Sequence, residues 1–164
     1  MIDNRSSLLI TSFQRNLEII HLQTAGLSHQ DSLIQLPFRA NCLNWVVGHI
    51  LTNRLSIFQL LKREDLIPKL DLSRYQREAE PILKDEDGVH PLSLLLETLQ
   101  QAQNHLRGHL EDLGEKDFQR PVDFFGSGEK PLIEWLFFFY FHDTYHTGQT
   151  ELLRQAAGTD DKII

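Results

Sequence analysis

This sequence predicts an all-α fold, a four-helix bundle with a long crossover between its second and third helices. Three observations predict it. Apolar residues recur at three- and four-residue steps over four segments, each long enough to pack along the others. The connections are unequal, the longest running over 62–90, which suits a bundle with at least one long crossover. Only 9 Gly and 6 Pro are present in 164 residues, too few to break up long regular segments. That length is about one domain's worth, and a single domain over 1–164 is expected.

The first helix starts at Asp3 or Asn4, either a suitable N-cap. It carries Leu9, Phe13, Leu17 and Ile20 on one stripe and stops at Thr24-Ala25-Gly26. His21 lies at the edge of that stripe, where a packed or edge histidine is the ordinary reading, and His29 falls in the loop that follows. Pro37 and a polar start at Asn41 lead into the second helix, over 41–61. One of its faces carries Trp45, His49, Thr52 or Asn53, and Ser56, while its other stripes are largely Val, Ile and Leu. Polar groups therefore sit among apolar neighbours and need partners.

The crossover holds Pro68, Pro81, Gly88 and an acidic cluster at Asp85-Glu86-Asp87, with a short helix expected over 75–80. Pro91 suits the first turn of the third helix, which runs through Leu92, Leu95, Leu99, Leu106 and Leu110 to Gly114. Its His105 and His109 are four apart but lie among Gln, Asn, Arg and Glu, as an exposed face does. The stretch 118–130 contains Gly126-Ser127-Gly128-Glu129-Lys130. The spacing of a phosphate-binding loop is missing, so it reads as a flexible lid or connection. The fourth helix runs from Pro131 to Gly158 and reads as mostly buried. Its apolar run is interrupted by Glu134 and His142, well short of the roughly 20 apolar residues that cross a bilayer.

Composition narrows the functional classes. With 41% hydrophobic and 24% charged residues the chain is an ordinary globular sequence, which argues against disorder. A net charge of -7 offers no broad attraction to nucleic acid or to an anionic membrane surface. Cys42 stands alone and cannot form an internal disulfide, and the N-terminal residues lack the layout of a secretory signal, so a cytoplasmic location is expected.

The chemistry concentrates late in the chain. His142 and His146 are four residues apart on a helix and project from one face. Two imidazoles on an inward stripe suit a divalent metal but make an incomplete shell, so a third ligand is needed. His49 is the candidate. Taken alone, a core histidine hydrogen-bonded to a carbonyl or to Asn53 explains it as well or better. Gln149 should share the face of the pair and, like Asn53, can support a ligand or simply bond to nearby backbone. Asp143 is adjacent to a ligand but rotated away from it, so an outer-face or dimer-contact role is as credible as a metal role; Tyr145 reads as a structural aromatic, and Cys42 as ordinary packing.

The segment Asn44-Trp45-Val46-Val47-Gly48-His49-Ile50, followed by Phe141-His142-Asp143-Thr144-Tyr145-His146-Thr147-Gly148-Gln149 and Leu152-Leu153-Arg154, resembles the DinB/YfiT-like family of metal-binding four-helix bundles. The resemblance covers nearly the whole chain in helix order, and its most specific part is His-x-x-x-His-x-Gly-Gln. It implies a divalent metal site made by His49, His142 and His146, often in a dimeric protein. It also implies kinship with transferases and isomerases that use low-molecular-weight thiols. Zinc and nickel lead as the metal, although histidine selects poorly among divalent ions. The expected function is a metal-dependent enzyme, a small-thiol S-transferase with no catalytic base assigned. The alternative is a noncatalytic bundle that binds a metal or a small ligand. An apolar excess on the first and fourth helices points to a homodimer.

Overall fold

The computed structural model describes residues 2–124, 126, 128–159 and 161. Its four long helices are α1 (Asn4–Thr24), α3 (Leu43–Leu60), α4 (Leu92–Glu111) and α6 (Leu132–Ala156). Two one-turn helices, α2 (His29–Ser32) and α5 (Glu115–Phe118), and a two-stranded hairpin, β1 (Pro121–Asp123) with β2 (Glu129–Pro131), fill the connections. The predicted all-α bundle is the fold observed. Both α1 and α3 pack against α4 and α6, which puts α1 and α3 on one diagonal of the bundle and α4 and α6 on the other.

Local chemistry sets the ends. Asp3 caps α1 by accepting the Arg5 backbone N–H at 2.8 Å. The loop expected to hold His29 forms a turn of helix instead, because Ser28 and Asp31 close a capping box around it. Gly158 ends α6 in the left-handed region at φ 90°, as a C-terminal glycine should.

Other expectations need correction. The crossover has no helix over 75–80; it has 3₁₀ turns at Glu64–Leu66 and Ser73–Tyr75. A helix continuing past Tyr75 would need that residue's carbonyl for its own ladder, and the carbonyl is taken by His49. The connection over 118–130 is not plain loop. β1 and β2 pair antiparallel with Val122 opposite Lys130. Trp135 pins them by donating its indole N–H to the Val122 carbonyl at 2.9 Å, with the Lys130 ammonium 5.1 Å above its ring. Nor is α6 mostly buried: Phe137, Phe138, Phe141 and Tyr145 are all exposed. No described helix is long and apolar enough to cross a membrane.

The core contains a polar knot contributed by all four long helices. Arg54 of α3 is 0% exposed; its Nε donates to Asp143 Oδ2 of α6 at 3.0 Å, and its Nη1 donates to Gln103 of α4. Phe13 of α1 lies under the guanidinium, 4.5 Å from ring centre to Cζ. Toward the chain ends, Asn16 of α1 donates to Thr144 of α6 at 3.0 Å, and Arg154 donates to the Gln23 and Ala25 carbonyls at 3.1 and 2.8 Å.

Asp143→Ala strands the Arg54 charge without its counter-ion and should cost about 3–5 kcal/mol. Urea unfolding checks this. Replacing both partners, Arg54→Met with Asp143→Leu, should recover most of the loss, and a single variant within about 1 kcal/mol of the parent would overturn the account.

Candidate metal centre

Two helices bring the three histidines together. His49 sits in the second turn of α3, where Cys42 through Leu51 are buried without a break. His142 and His146 stand one turn apart on α6, which packs along α3. Ring centres are 5.0 Å apart for His49 and His142, 4.9 Å for His49 and His146, and 4.5 Å for His142 and His146. One nitrogen from each lies within 4.8 Å of the others.

Hydrogen bonds orient two of the rings. His49 Nδ1 donates to the Tyr75 carbonyl at 2.7 Å, and His146 Nδ1 donates to Gln149 Oε1 at 2.8 Å. Each bond places the proton on Nδ1 and leaves Nε2 as the lone-pair nitrogen, the tautomer a metal ligand requires, although on His49 the Asn53 amide donates to that nitrogen at 3.4 Å. His142 has no such partner: its Nδ1 is buried without a hydrogen bond. An orphaned buried nitrogen costs about 1–3 kcal/mol, a cost that coordination of a cation through Nδ1 would remove. The donor set, three imidazoles, fits a divalent metal ion.

The electrostatics agree. Burial lowers the pKa of all three rings, and for His142 the neighbouring His146 and His49 add to it, bringing that group to about 4. All three are therefore neutral at pH 7 and ready to coordinate. Trp45 stacks on His49 with ring centres 4.4 Å apart and adds to the apolar wall behind it.

The crossover supplies the backing. Beyond holding His49, Tyr75 donates its hydroxyl to Asn44 Oδ1 at 3.1 Å and accepts the His90 backbone N–H at 2.7 Å. Its ring lies so close to α3 that a Cβ on Gly48 would come 2.0 Å from Tyr75 Cδ1. Gly48 is thus the position that lets Tyr75 reach the histidine. Sequence reasoning missed Tyr75 altogether. The available signal was the glycine inside a helix directly before a candidate ligand, a mark of close approach.

The remaining candidates separate clearly. Gln149 takes the first of its two open roles, accepting from the His146 ring. Asn53 donates mainly to the His49 carbonyl at 2.8 Å, with its amide 3.4 Å from His49 Nε2. Asp143 does point away from the triad, but into the core, not to an outer face. Cys42 is the buried N-cap of α3, and burial pushes its thiol up, away from the thiolate. His105 is exposed, and His109 packs against Arg63. His21 and His29 are half-buried and outside the cluster.

Two cavities flank the triad. One, of about 600 Å³, opens beside His49 and His142 and is lined by Thr52, Asn53, Ser56, Gln59 and Arg77 among others. The second, of about 590 Å³, opens beside His146 and Trp45.

A helical bundle with three clustered, neutral histidines on two packed helices defines a class of proteins able to hold a metal ion in the seam between helices. A family model for the DinB superfamily matches residues 26–150, which include all three histidines, and the chain belongs to that superfamily. No curated protein matches the chain.

If Gly48 exists to admit Tyr75, Gly48→Ala should displace the ring, loosen His49 and weaken zinc binding by roughly 10- to 100-fold, measured by competition with a chromophoric chelator. Gly108→Ala, where an added Cβ meets nothing, should leave the affinity unchanged; equal behaviour of the two variants would refute the role of Gly48.

Proposed function

We propose that this protein is a divalent-metal-dependent enzyme, a small-thiol S-transferase whose site is His49, His142 and His146. The observation that carries the reading is the neutral triad with an unsatisfied His142 nitrogen, set between two cavities large enough for small molecules. A zinc or nickel ion held there would supply Lewis acidity, lowering the pKa of a thiol that reached it. The protein's own share is positional. Tyr75 and Gln149 hold two rings in one tautomer, and Trp45 and the buried wall of α3 limit water behind them.

Among the described residues lining the two cavities there is no carboxylate. Metal-assisted hydrolysis, which needs a general base for water, is the less favoured chemistry for that reason. A thiol is acidic enough to react without one once a cation has lowered its pKa. The same lack of a base favours a second reading, a noncatalytic metal- or ligand-binding bundle. Metal analysis of the protein, with His49→Ala and His146→Ala alongside, should find near-stoichiometric metal lost in both variants. Thiol-dependent turnover by the loaded protein supports the enzyme. Metal without turnover across a panel of thiols and electrophiles supports the second reading, and no metal after reconstitution with zinc, nickel and manganese overturns both.

A cytoplasmic homodimer is part of the proposal. Leu8 of α1 and Phe137 and Phe141 of α6 are 68%, 60% and 61% exposed, and Leu8 and Phe137 line one shared groove, an apolar surface suited to a second copy. Light scattering of the native chain should give twice the monomer mass, and Phe137→Asp should halve it. A monomeric native protein would rule the dimer out.

A further inference from the structure

The cavity beside His49 mixes hydroxyl and amide groups from Thr52, Asn53, Ser56 and Gln59 with the rings of Phe124 and Phe138. The His146 cavity sets polar Asn41 and Gln149 beside a larger apolar wall of Leu36, Phe38, Trp45, Tyr145 and Leu152. Phe38, Tyr145 and Leu152 are 59%, 61% and 50% exposed, so three large apolar side chains meet solvent at one mouth. Burying them is favourable, and a ligand with an apolar body is what they would take.

A charged group stands in the same wall. Arg39 is exposed, lines both this cavity and an adjoining cleft that holds Glu78 and Glu80, and has no hydrogen-bond or ion-pair partner among the described residues. Every other arginine has one. Arg5, Arg15, Arg54, Arg63, Arg74, Arg77, Arg107 and Arg154 pair with carboxylates, and Arg120 donates to the Leu60 carbonyl. In a chain with 23 acidic against 16 basic residues, no Asp or Glu lines the cavity. An unpaired guanidinium at the rim of an apolar cleft selects an anion, preferably a planar carboxylate that accepts two of its N–H groups.

We propose that the His146 cavity binds a small organic carboxylate with an apolar, aromatic or branched aliphatic body, its carboxylate on Arg39 and its body over Trp45, Tyr145 and Leu152. This rests on the transferase reading for its role: the thiol would enter beside His49 and the carboxylate acceptor beside His146. The sulfur bonds to an electrophilic carbon of the acceptor, in a conjugated alkene or strained ring, while the thiol proton passes to the acceptor and no group leaves. A volume of about 590 Å³ lies within the range of small-molecule sites.

The test is a titration of the zinc-reconstituted full chain with 4-phenylbutyrate and with its uncharged match, 4-phenylbutyramide, followed by NMR of the two indole N–H groups. Trp45 lines the cavity, whereas Trp135 is held at the hairpin by Val122. The Trp45 signal should move and the Trp135 signal should not. The acid should bind about tenfold more tightly than the amide. In Arg39→Gln that preference should vanish, and in Arg39→Lys part of it should survive. A silent Trp45, equal affinities for acid and amide, or a preference that persists in Arg39→Gln would each overturn the proposal. The zinc content of each sample separates this outcome from that of the metal reading. Arg39-dependent binding by a protein that takes up no zinc would sink the metal and keep the cavity. Bound zinc with no binding of the acid would do the reverse.

Discussion

The buried pair of Arg54 and Asp143 is the interaction on which the arrangement of the bundle depends. Each of these residues is adjacent in sequence to one that faces the candidate site: Arg54 follows Asn53, and Asp143 follows His142. Because successive residues on a helix differ by about 100°, clamping Arg54 to Asp143 fixes the rotation of α3 and α6 about their own axes as well as their spacing. Gln103 and the face of Phe13 complete the shell around the guanidinium, so α4 and α1 are drawn into the same register. A fully apolar core of the same volume would hold the helices together at no desolvation cost. It would tolerate sliding and rotation more readily, and a three-ring site built from two helices does not tolerate either.

The second constraint comes from outside the helices. The crossover between α3 and α4 contributes little regular structure, yet through Tyr75 it sets the tautomer of His49, and through the bonds of Tyr75 and His90 to Asn44 it ties itself to α3. A long loop that crosses the end of a metal-ligand seam and fills the notch left by a glycine is part of the site's construction. The two sources of order are complementary: the ion pair fixes where the helices stand, and the crossover fixes how one ring is turned.

Much of this was legible in the sequence. The four long helices follow from apolar spacing, and Asp3 and Gly158 mark two ends where they are found. The triad was legible because His142 and His146 are local partners and because Asn44-x-x-x-Gly48-His49 resembles a family pattern. Other features were hidden for physical reasons. Arg54 and Asp143 are 89 residues apart, and nothing local distinguishes a buried ion pair from two solvated charges. Tyr75 owes its role to a tertiary contact that overrides the helical tendency of the residues after it. The hairpin strands are three residues each, too short for any alternation to show, and they exist because Trp135 gives them something to rest on. The burial of α6 was misjudged because composition cannot separate a core aromatic from an exposed one.

That misjudged helix explains why the triad lies near the surface. Since α6 leans on α1 and α3 and stands diagonal to α4, its circumference divides into three stripes. Asp143, Thr147, Thr150 and Arg154 face the bundle axis and are buried. Phe141, Tyr145 and Leu152 face outward. His142, His146 and Gln149 fall between them, half-buried at the seam with α3. The axis is already filled by the Arg54–Asp143 pair and Gln103, and a divalent cation there would have to displace that pair or compete for its carboxylate. The seam is the position on α6 where imidazoles are desolvated enough to be neutral and still lie beside open cavities. A bundle that uses its centre for an ion pair has to place its metal ligands at the edge, and that edge is where small molecules can reach them.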